Sequence, residues 1–369
     1  MQAKHLKLID YRNNPYSEIE FTEGVNVIYG ENAAGKTNIL ESIFYFASGK
    51  SFRSCKDKEL IRFGCDAAAA YLKFENKNGE TDIGVKLYKN RHREFERNGN
   101  PVTRLAEYLG AFRAVIFTPD YLSLVKGQPE NRRRFIDLAI CQSYPRYVSY
   151  LNDYNRLLLQ KNALLRSEMS AGDKMDMLTV YNERMAISAG AISFNRRRFL
   201  NGIEELAAIE HGEISSGKEK LALRYNGCAE ENTEGAEETR QAILKYLNSK
   251  ADMEIARGIS LFGVHKDDFH IFINGKNTRF FASQGQQRSV VLSLKLAEGE
   301  MSKRVTGEYP VFLFDDMLSE LDAARRGVIL KKTAGRQIIV TGCETDYFDN
   351  TVVENRIFVD NGTVKCGKL

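Results

Sequence analysis

Residues 30–37 read GENAAGKT, and no other stretch of the 369-residue chain restricts its fold as tightly. The string is a full match to G-x-x-x-x-G-K-[ST], and it has the right setting. The short apolar run GVNVIYG leads in. NILESIFYFASG leads out, apolar at helical spacing and closed by Gly49. A strand that turns through glycine into a helix aims successive N–H groups at one point, with the positive end of the helix behind them. That arrangement holds phosphate. Gly30, Glu31, Asn32, Ala33, Ala34, Gly35, Lys36, Thr37 and Asn38 are therefore the expected nucleotide contacts. Lys36 would reach the β- and γ-phosphates, and Thr37 would place its hydroxyl on Mg²⁺. A glycine-rich turn without a ligand is the alternative, and it seldom falls between a strand and a helix.

A phosphate loop of this kind needs a partner carboxylate for the metal. VFLFDD supplies one: four apolar residues, then Asp315 and Asp316. So short an apolar run suits a strand buried in a parallel sheet. Asp315 at its end would join Thr37 in the metal shell, where open α/β sheets bind ligands. Asp316 is placed to polarise an attacking water. LSELD follows at 318–322. Taken by itself it reads as a helix start, with Ser319 as N-cap and Asp322 three residues on.

The rest of the chain sorts around these motifs. KHLKLIDYRN alternates as a strand and SEIEFTEG follows it. Residues 66–99 read as β ribbons broken by NKNGE and NGNP, and AVIFTPD is a further strand. From about 129 to 210 the period changes to three and four, which predicts three amphipathic helical segments, the last two separated by the clear break SEMSAGDK. Residues 211–239 are mixed, and the acidic tract AEENTEGAEE reads as an exposed loop. Strands return in DDFHIFING, YPVFLFDD, RQIIVTG and RIFVDNGTVK. The expected fold class is α/β: one nucleotide-binding lobe built from both termini (1–125 and 261–369) with a helical lobe inserted (126–260). The 283–300 segment is expected to pack with the insertion.

Bulk properties narrow the partners. Lys plus Arg is 53 against 49 for Asp plus Glu, a net charge of +4, too small to decide for or against nucleic acid. The cations are clustered, however, at 89–93, 132–134 and 196–198, and solvated helix faces are the bland explanation for any one cluster. The six cysteines form no CxxC pair, which argues against zinc and fits a reducing cytoplasm. The N-terminus reads as a strand rather than a signal peptide, and no apolar run would span a bilayer.

SQGQQRS at 283–289 puts small residues and amides before a long helical run, with no acid, base or metal ligand. Together with GENAAGKTN, LFDDMLSELD, YRN near the start, SFRS at 51–54, LVKGQPENRRRFID at 124–137 and GVHKDD, it resembles the RecF family of bacterial recombination mediators. That family is similar to SMC proteins and ABC-type ATPases. The resemblance spans nearly the whole chain and implies an ABC-type P-loop ATPase head. It makes 30–37 the Walker A loop, Asp315 the Walker B carboxylate, and Asp316 the occupant of the usual catalytic glutamate position, with Lys36 as its catalytic companion. SELD resembles the D-loop. Ser283, Gly285 and Gln286 resemble the ABC signature, with Gln284 where glycine is usual. Arg12 and Arg53 match positions near the nucleotide. Arg53, Arg132, Arg133 and Arg134 are candidate DNA contacts, and Gln142 is a candidate Q-loop glutamine. No histidine follows the strand ending IIVTGC.

The resemblance further implies ATP and Mg²⁺ as cofactors, weak ATP hydrolysis and an ATP-dependent homodimer. It implies binding to gapped DNA or single/double-strand junctions in repair, replication and the SOS response. Cooperation with RecR, and through it RecO and RecA, also follows from the resemblance. An SMC-type structural ATPase would need a far longer heptad insertion. A transporter ATPase subunit or a nucleotide switch without DNA are the readings from other classes.

Overall fold

The computed structural model describes residues 1–53, 55–228, 233, 235–317, 321, 323–342 and 353–366. Strand β1 (Gln2–Tyr11) alternates as expected. A register shift between Ala3 and His5 resets its pleat, so Ala3, Leu6 and Leu8 share the core face. It pairs with β2 (Asn14–Glu20), and the chain then enters β3 (Val25–Tyr29) and helix α1 (Lys36–Ser48). Helix α1 is buried almost all round because it lies between two sheets, touching β strands of both. It stops at Gly49, whose left-handed backbone (φ 65°) lets its N–H reach the Tyr45 carbonyl. The ribbons follow as β4 (Ala67–Asn76), β5 (Gly79–Tyr88), β6 (Glu94–Arg97) and β7 (Asn100–Val102). Asn98 and Gly99, both at positive φ, make the tight turn between the last two. These strands form an antiparallel sheet in the order β2-β1-β4-β5-β6-β7. A short helix α2 (Leu105–Tyr108) leads to the fully buried β8 (Ala114–Phe117).

The inserted region opens with α3 (Ser123–Lys126) and α4 (Pro129–Ser143), then α5 (Tyr147–Arg166) and α6 (Ala171–Ile214). The break at SEMSAGDK is real. Ser170 caps α6 by accepting the Asp173 N–H, and α6 runs for 44 residues, about 66 Å at 1.5 Å per residue. The stretch read as mixed contains β9 (Leu221–Asn226), and α7 (Ala236–Ser249) starts inside the acidic tract. Glu237 and Glu238 thus sit in a first helical turn, where the helix dipole favours them. After α8 (Ala251–Arg257), strand β10 (Asp268–Ile273) pairs with β9 and with β11 (Lys276–Asn277). Residues 268–273 therefore hydrogen-bond to the insertion and to neither ATPase sheet. Helix α9 (Thr278–Phe281) precedes α10 (Gln284–Thr306), which packs along α6 and against β8.

The C-terminal strands complete the second sheet: β12 (Val311–Asp315), helix α11 (Ala323–Lys332), β13 (Ile338–Gly342), β14 (Val353–Asp360) and β15 (Thr363–Cys366). The order is β15-β14-β3-β13-β12-β8, with every pair parallel except β14 and β15. The all-buried β8, β12 and β13 explain the short apolar runs in the sequence.

Each of the two arginine triplets turns its first member inward. Arg132 is 3 % exposed and forms a bidentate pair with Asp268 at 2.7 and 2.8 Å. Arg196, equally buried, grips Asp137 at 2.8–2.9 Å and donates to the Val264 carbonyl. Arg133 donates to the Asp267 carbonyl. The acidic end of GVHKDD is thus a clasp joining α4, α6 and β10. Arg132 is corrected as a DNA contact: its charge is buried and neutralised inside the chain.

Candidate functional site

The phosphate loop leaves β3 at the carboxyl edge of the parallel sheet. Gly30 adopts φ 150°, and a Cβ there would sit 2.2 Å from the Val359 carbonyl oxygen, so β14 alone demands glycine. Gly35, at φ 112°, lies against the Asn13 amide. Asn13 braces the loop: its Nδ2 donates to the Ala34 carbonyl at 3.2 Å, and its Oδ1 accepts from Asn38 Nδ2 at 2.8 Å. Gly362, in the β14–β15 turn, donates its N–H to the same Ala34 carbonyl. Lys36 folds over the loop and donates from Nζ to the Gly30 and Glu31 carbonyls at 2.8 and 2.9 Å. The open space above holds about 370 Å³ and is lined by Asn13, Asn32, Lys36, Thr37, Arg53 and Asp316, among others.

The two carboxylates arrive from β12. Asp315 Oδ1 accepts from Thr37 Oγ1 at 2.8 Å and from Thr341 Oγ1 at 3.0 Å. Burial pushes the Asp315 carboxyl up, the two hydroxyl donors pull it back, and the neighbouring Asp316 charge pushes it up again. A bound cation would favour the ionised form. Thr37 and Asp315 offer two hard oxygens 2.8 Å apart. No group of three or more His, Cys, Asp or Glu residues converges among the described residues. This donor set fits Mg²⁺, which is held by one or two protein oxygens together with phosphates and water, and not zinc. Asp316 takes a left-handed backbone (φ 51°), and its N–H donates to Thr341 Oγ1 at 3.1 Å. Thr341 thus holds the Asp315 carboxylate and the Asp316 backbone, and the apolar run IIV before it hid that role.

The other expected residues scatter. Arg12 does not line the cleft. Its guanidinium is taken by Glu41 at 2.7 and 2.8 Å and by the Glu59 carbonyl. Glu41 also accepts the Ser51 hydroxyl, and Ser51 Oγ accepts the Arg53 N–H. Arg12 therefore orients the turn from which Arg53 reaches the cleft and Asn38 Oδ1 at 3.0 Å. Arg134 donates to the Ser51 carbonyl behind that turn. Gln142 accepts the Ala114 N–H at 2.9 Å, at the start of β8 and so at the opposite edge of the sheet from the phosphates; a Q-loop role does not fit there. The segment that does leave the correct edge is 118–121, because Phe117 pairs with Phe314. Tyr121 in it lies under the Lys295 ammonium of α10 (4.4 Å), itself ion-paired with Glu298. The signal was the TPD that ends AVIFTPD. In LSELD only Leu321 is described, and Cys343 lies outside the described residues.

Ser283, Gly285 and Gln286 stand apart from this cleft. Ser283 N-caps α10 in a capping box: its Oγ accepts the Gln286 N–H at 3.2 Å, and Gln286 Oε1 accepts the Ser283 N–H at 2.9 Å. Gln286 Nε2 is held by Glu219 at 2.8 Å. A Cβ on Gly285 would meet nothing closer than 3.5 Å, so the chain's own packing does not require glycine there. The helix N-terminus is exposed at Ser283 and Gln284.

A cleft of this design on a parallel sheet, with an inserted helical region and, packed along it, a helix that opens on an exposed, capped N-terminus, defines a P-loop ATPase head of the ABC type. The chain belongs to the RecF family: the RecF/RecN/SMC N-terminal domain model matches residues 3–365. It is 37 % identical over 372 residues to the DNA replication and repair protein RecF of Clostridium kluyveri, covering 100 % of this chain and 99 % of the relative. The solved structure described as the recombination mediator protein RecF–ATP in the RecFOR pathway superposes with TM-score 0.92 at 31 % identity, over 100 % of this chain and 98 % of that one. An SMC head bound to the C-terminal winged-helix domain of ScpA shares the fold alone, with TM-score 0.59 at 17 % identity, over 100 % of this chain and 98 % of that one.

Proposed function

We propose that this chain is an ATP-gated DNA-binding recombination mediator that works as a homodimer. One observation carries the reading: the phosphate-loop cleft and the capped N-terminus of α10 do not meet within the chain. The cleft holds a loop, a lysine and a hydroxyl–carboxylate pair, while Ser283 and Gly285 sit at a helix N-terminus that lines none of that cleft. An exposed N-terminus with a glycine its own chain does not need suits close approach to an anion held elsewhere. In a two-fold dimer, each Ser283 segment would face the γ-phosphate bound by the other subunit, so two ATP molecules are sandwiched. ATP then favours the closed dimer by its extra contacts there. When bound, ATP with Mg²⁺ supplies the phosphate bridge and the charge neutralisation. Lys36 would grip the phosphates, Thr37 and Asp315 would hold the metal, and Asp316 would orient water.

The roles of its relatives, DNA replication and repair and the RecFOR pathway, support gapped or junction DNA as the target and RecR, with RecO and RecA beyond it, as partners. No helix among the described residues is long and apolar enough to cross a membrane. DNA affinity measured with ATP, ADP and no nucleotide, on single-stranded, duplex and gapped substrates, tests the reading. ATP-dependent preference for the gapped duplex is expected; equal affinity in all three nucleotide states would sink it.

Asp316→Asn tests the hydrolytic role. Asparagine tolerates the left-handed backbone of residue 316, so the substitution removes charge with little strain. Turnover should fall by about 100-fold or more, and the ATP-bound dimer should outlive the wild type's. Unchanged turnover would move catalysis to another residue.

A further inference from the structure

The cationic run at 89–93 has no place in the nucleotide site. The structure folds it against a second basic stretch. The 49–66 loop and the 89–93 turn are pinned together at both ends: Arg93 reaches the Gly49 carbonyl at 2.7 Å and Asp57 at 2.9 Å, and Lys89 reaches Asp66 at 3.4 Å through its ammonium and 3.1 Å through its N–H. Arg93 also donates to Tyr45 Oη, which ties the pair of loops to α1. The two stretches, 49–66 and 89–94, carry eight Lys and Arg against four carboxylates. Three of those carboxylates are already engaged: Asp57 by Arg93, Asp66 by Lys89 and Glu94 by Arg91. Lys50, Lys56 and Lys58 are exposed, and none forms an ion pair with a described residue. Phe63, 99 % exposed, follows them on a turn that Gly64 closes at φ 89°. A single exposed ring is ordinary on a protein surface. A fully solvated ring on the same pinned loop as three exposed lysines that pair with no described carboxylate is a different object.

We propose that this strip, Lys50, Lys56, Lys58 and Phe63 with the 89–92 turn, is the surface that grips DNA at a junction. The lysines track backbone phosphates, and Phe63 stacks on a base that the gap leaves unpaired. The inference rests on the DNA-binding reading above and adds a location and a division of labour to it. Flexible ammonium groups suit phosphates, which carry charge but no sequence. An exposed aromatic ring adds nothing to a closed duplex, whose bases are already stacked, but it offers a π-face to a single-stranded base. That combination favours DNA with a single-stranded portion, where unpaired bases beside a row of phosphates serve both the ring and the lysines, over an acidic protein surface, which calls on the lysines alone.

The test compares two variants of the full chain with the wild type, in ATP, on a gapped and a blunt duplex over a salt series. Lys56→Glu/Lys58→Glu/Arg91→Glu should bind both DNAs at least about 30-fold more weakly. Its salt slope should be shallower by roughly 2 to 3, near 0.9 for each phosphate no longer neutralised. Phe63→Ala should lose about 10-fold on the gapped duplex and spare the blunt one. Both should keep wild-type ATP affinity, since none of the four residues lines the cleft. Wild-type affinity and slope in the triple variant would overturn the strip while leaving the DNA reading intact. Equal loss on both DNAs in Phe63→Ala would overturn the stacking role, and poly-glutamate competing as well as gapped DNA would reduce the strip to a general polyanion surface. Failure of the wild type to bind any DNA would overturn both readings together.

Discussion

Lys36→Met should abolish ATP binding at working concentrations. The ammonium is nearly buried and donates to the Gly30 and Glu31 carbonyls, so it is already aimed across the mouth of the loop. Incoming phosphates would exchange two neutral acceptors for charged oxygens, which form the stronger bond. Methionine fills similar space without charge or donor. Losing a desolvated, hydrogen-bonded charge costs about 2–5 kcal/mol, or roughly 30-fold to several thousand-fold in affinity. Calorimetric titration with ATP reads this directly, and normal affinity would remove Lys36 from the site. Every ATP-dependent property should vanish with it, including the shift on gapped DNA.

Ser283→Arg should separate binding from assembly. The residue lies outside the cleft, so ATP affinity should stay within about threefold of wild type. Assembly in the presence of ATP should fail, because a trans contact requires the helix N-terminus within about 3 Å of a phosphate oxygen and a long side chain blocks that approach. The substitution also removes the cap on Gln286, worth about 1 kcal/mol of stability. Ser283→Ala removes the cap without the bulk and should still dimerise, though more weakly. Light scattering with and without ATP distinguishes the cases. ATP-dependent dimers of Ser283→Arg would end the trans assignment.

The parts of the site legible in sequence are those whose chemistry is local. A loop that wraps phosphate must read as strand, glycine-rich turn, lysine, hydroxyl and helix, and 25–48 does so. The Asp315 strand is equally plain, because a strand buried on both faces leaves a continuous apolar run. What failed to show depended on partners far along the chain. Arg132 has the look of a surface cation until Asp268, 136 residues away, is seen to neutralise it. Gln142 has the right chemistry at the wrong end of β8. Thr341 needs the pairing of β12 with β13 to come beside Asp315. Strand β9 lacks a strong alternation and is defined by β10, which follows it after two intervening helices. Family resemblance supplied the signature's likeness and Arg53's place near the nucleotide. The Arg12, Glu41 and Ser51 relay that sets Arg53 is visible only in three dimensions.

The pairing of β3 also bears on how the protein is made. Its ladder partners among the described residues are β13 and β14, both near the C-terminus. The strand that carries the phosphate loop is therefore synthesised early and waits for roughly 300 further residues before either neighbour exists, about 15–60 s at ordinary ribosome speeds. Until then both of its edges are open, and the loop lacks the Val359 and Gly362 backbone that shapes it. The antiparallel ribbons and the helical insertion have local partners and can form meanwhile. A chain released before residue 338 would be partly folded yet without a nucleotide site. The shape of the phosphate loop thus depends on strands made roughly 300 residues after it, and a product terminated before β13 and β14 would lack that support.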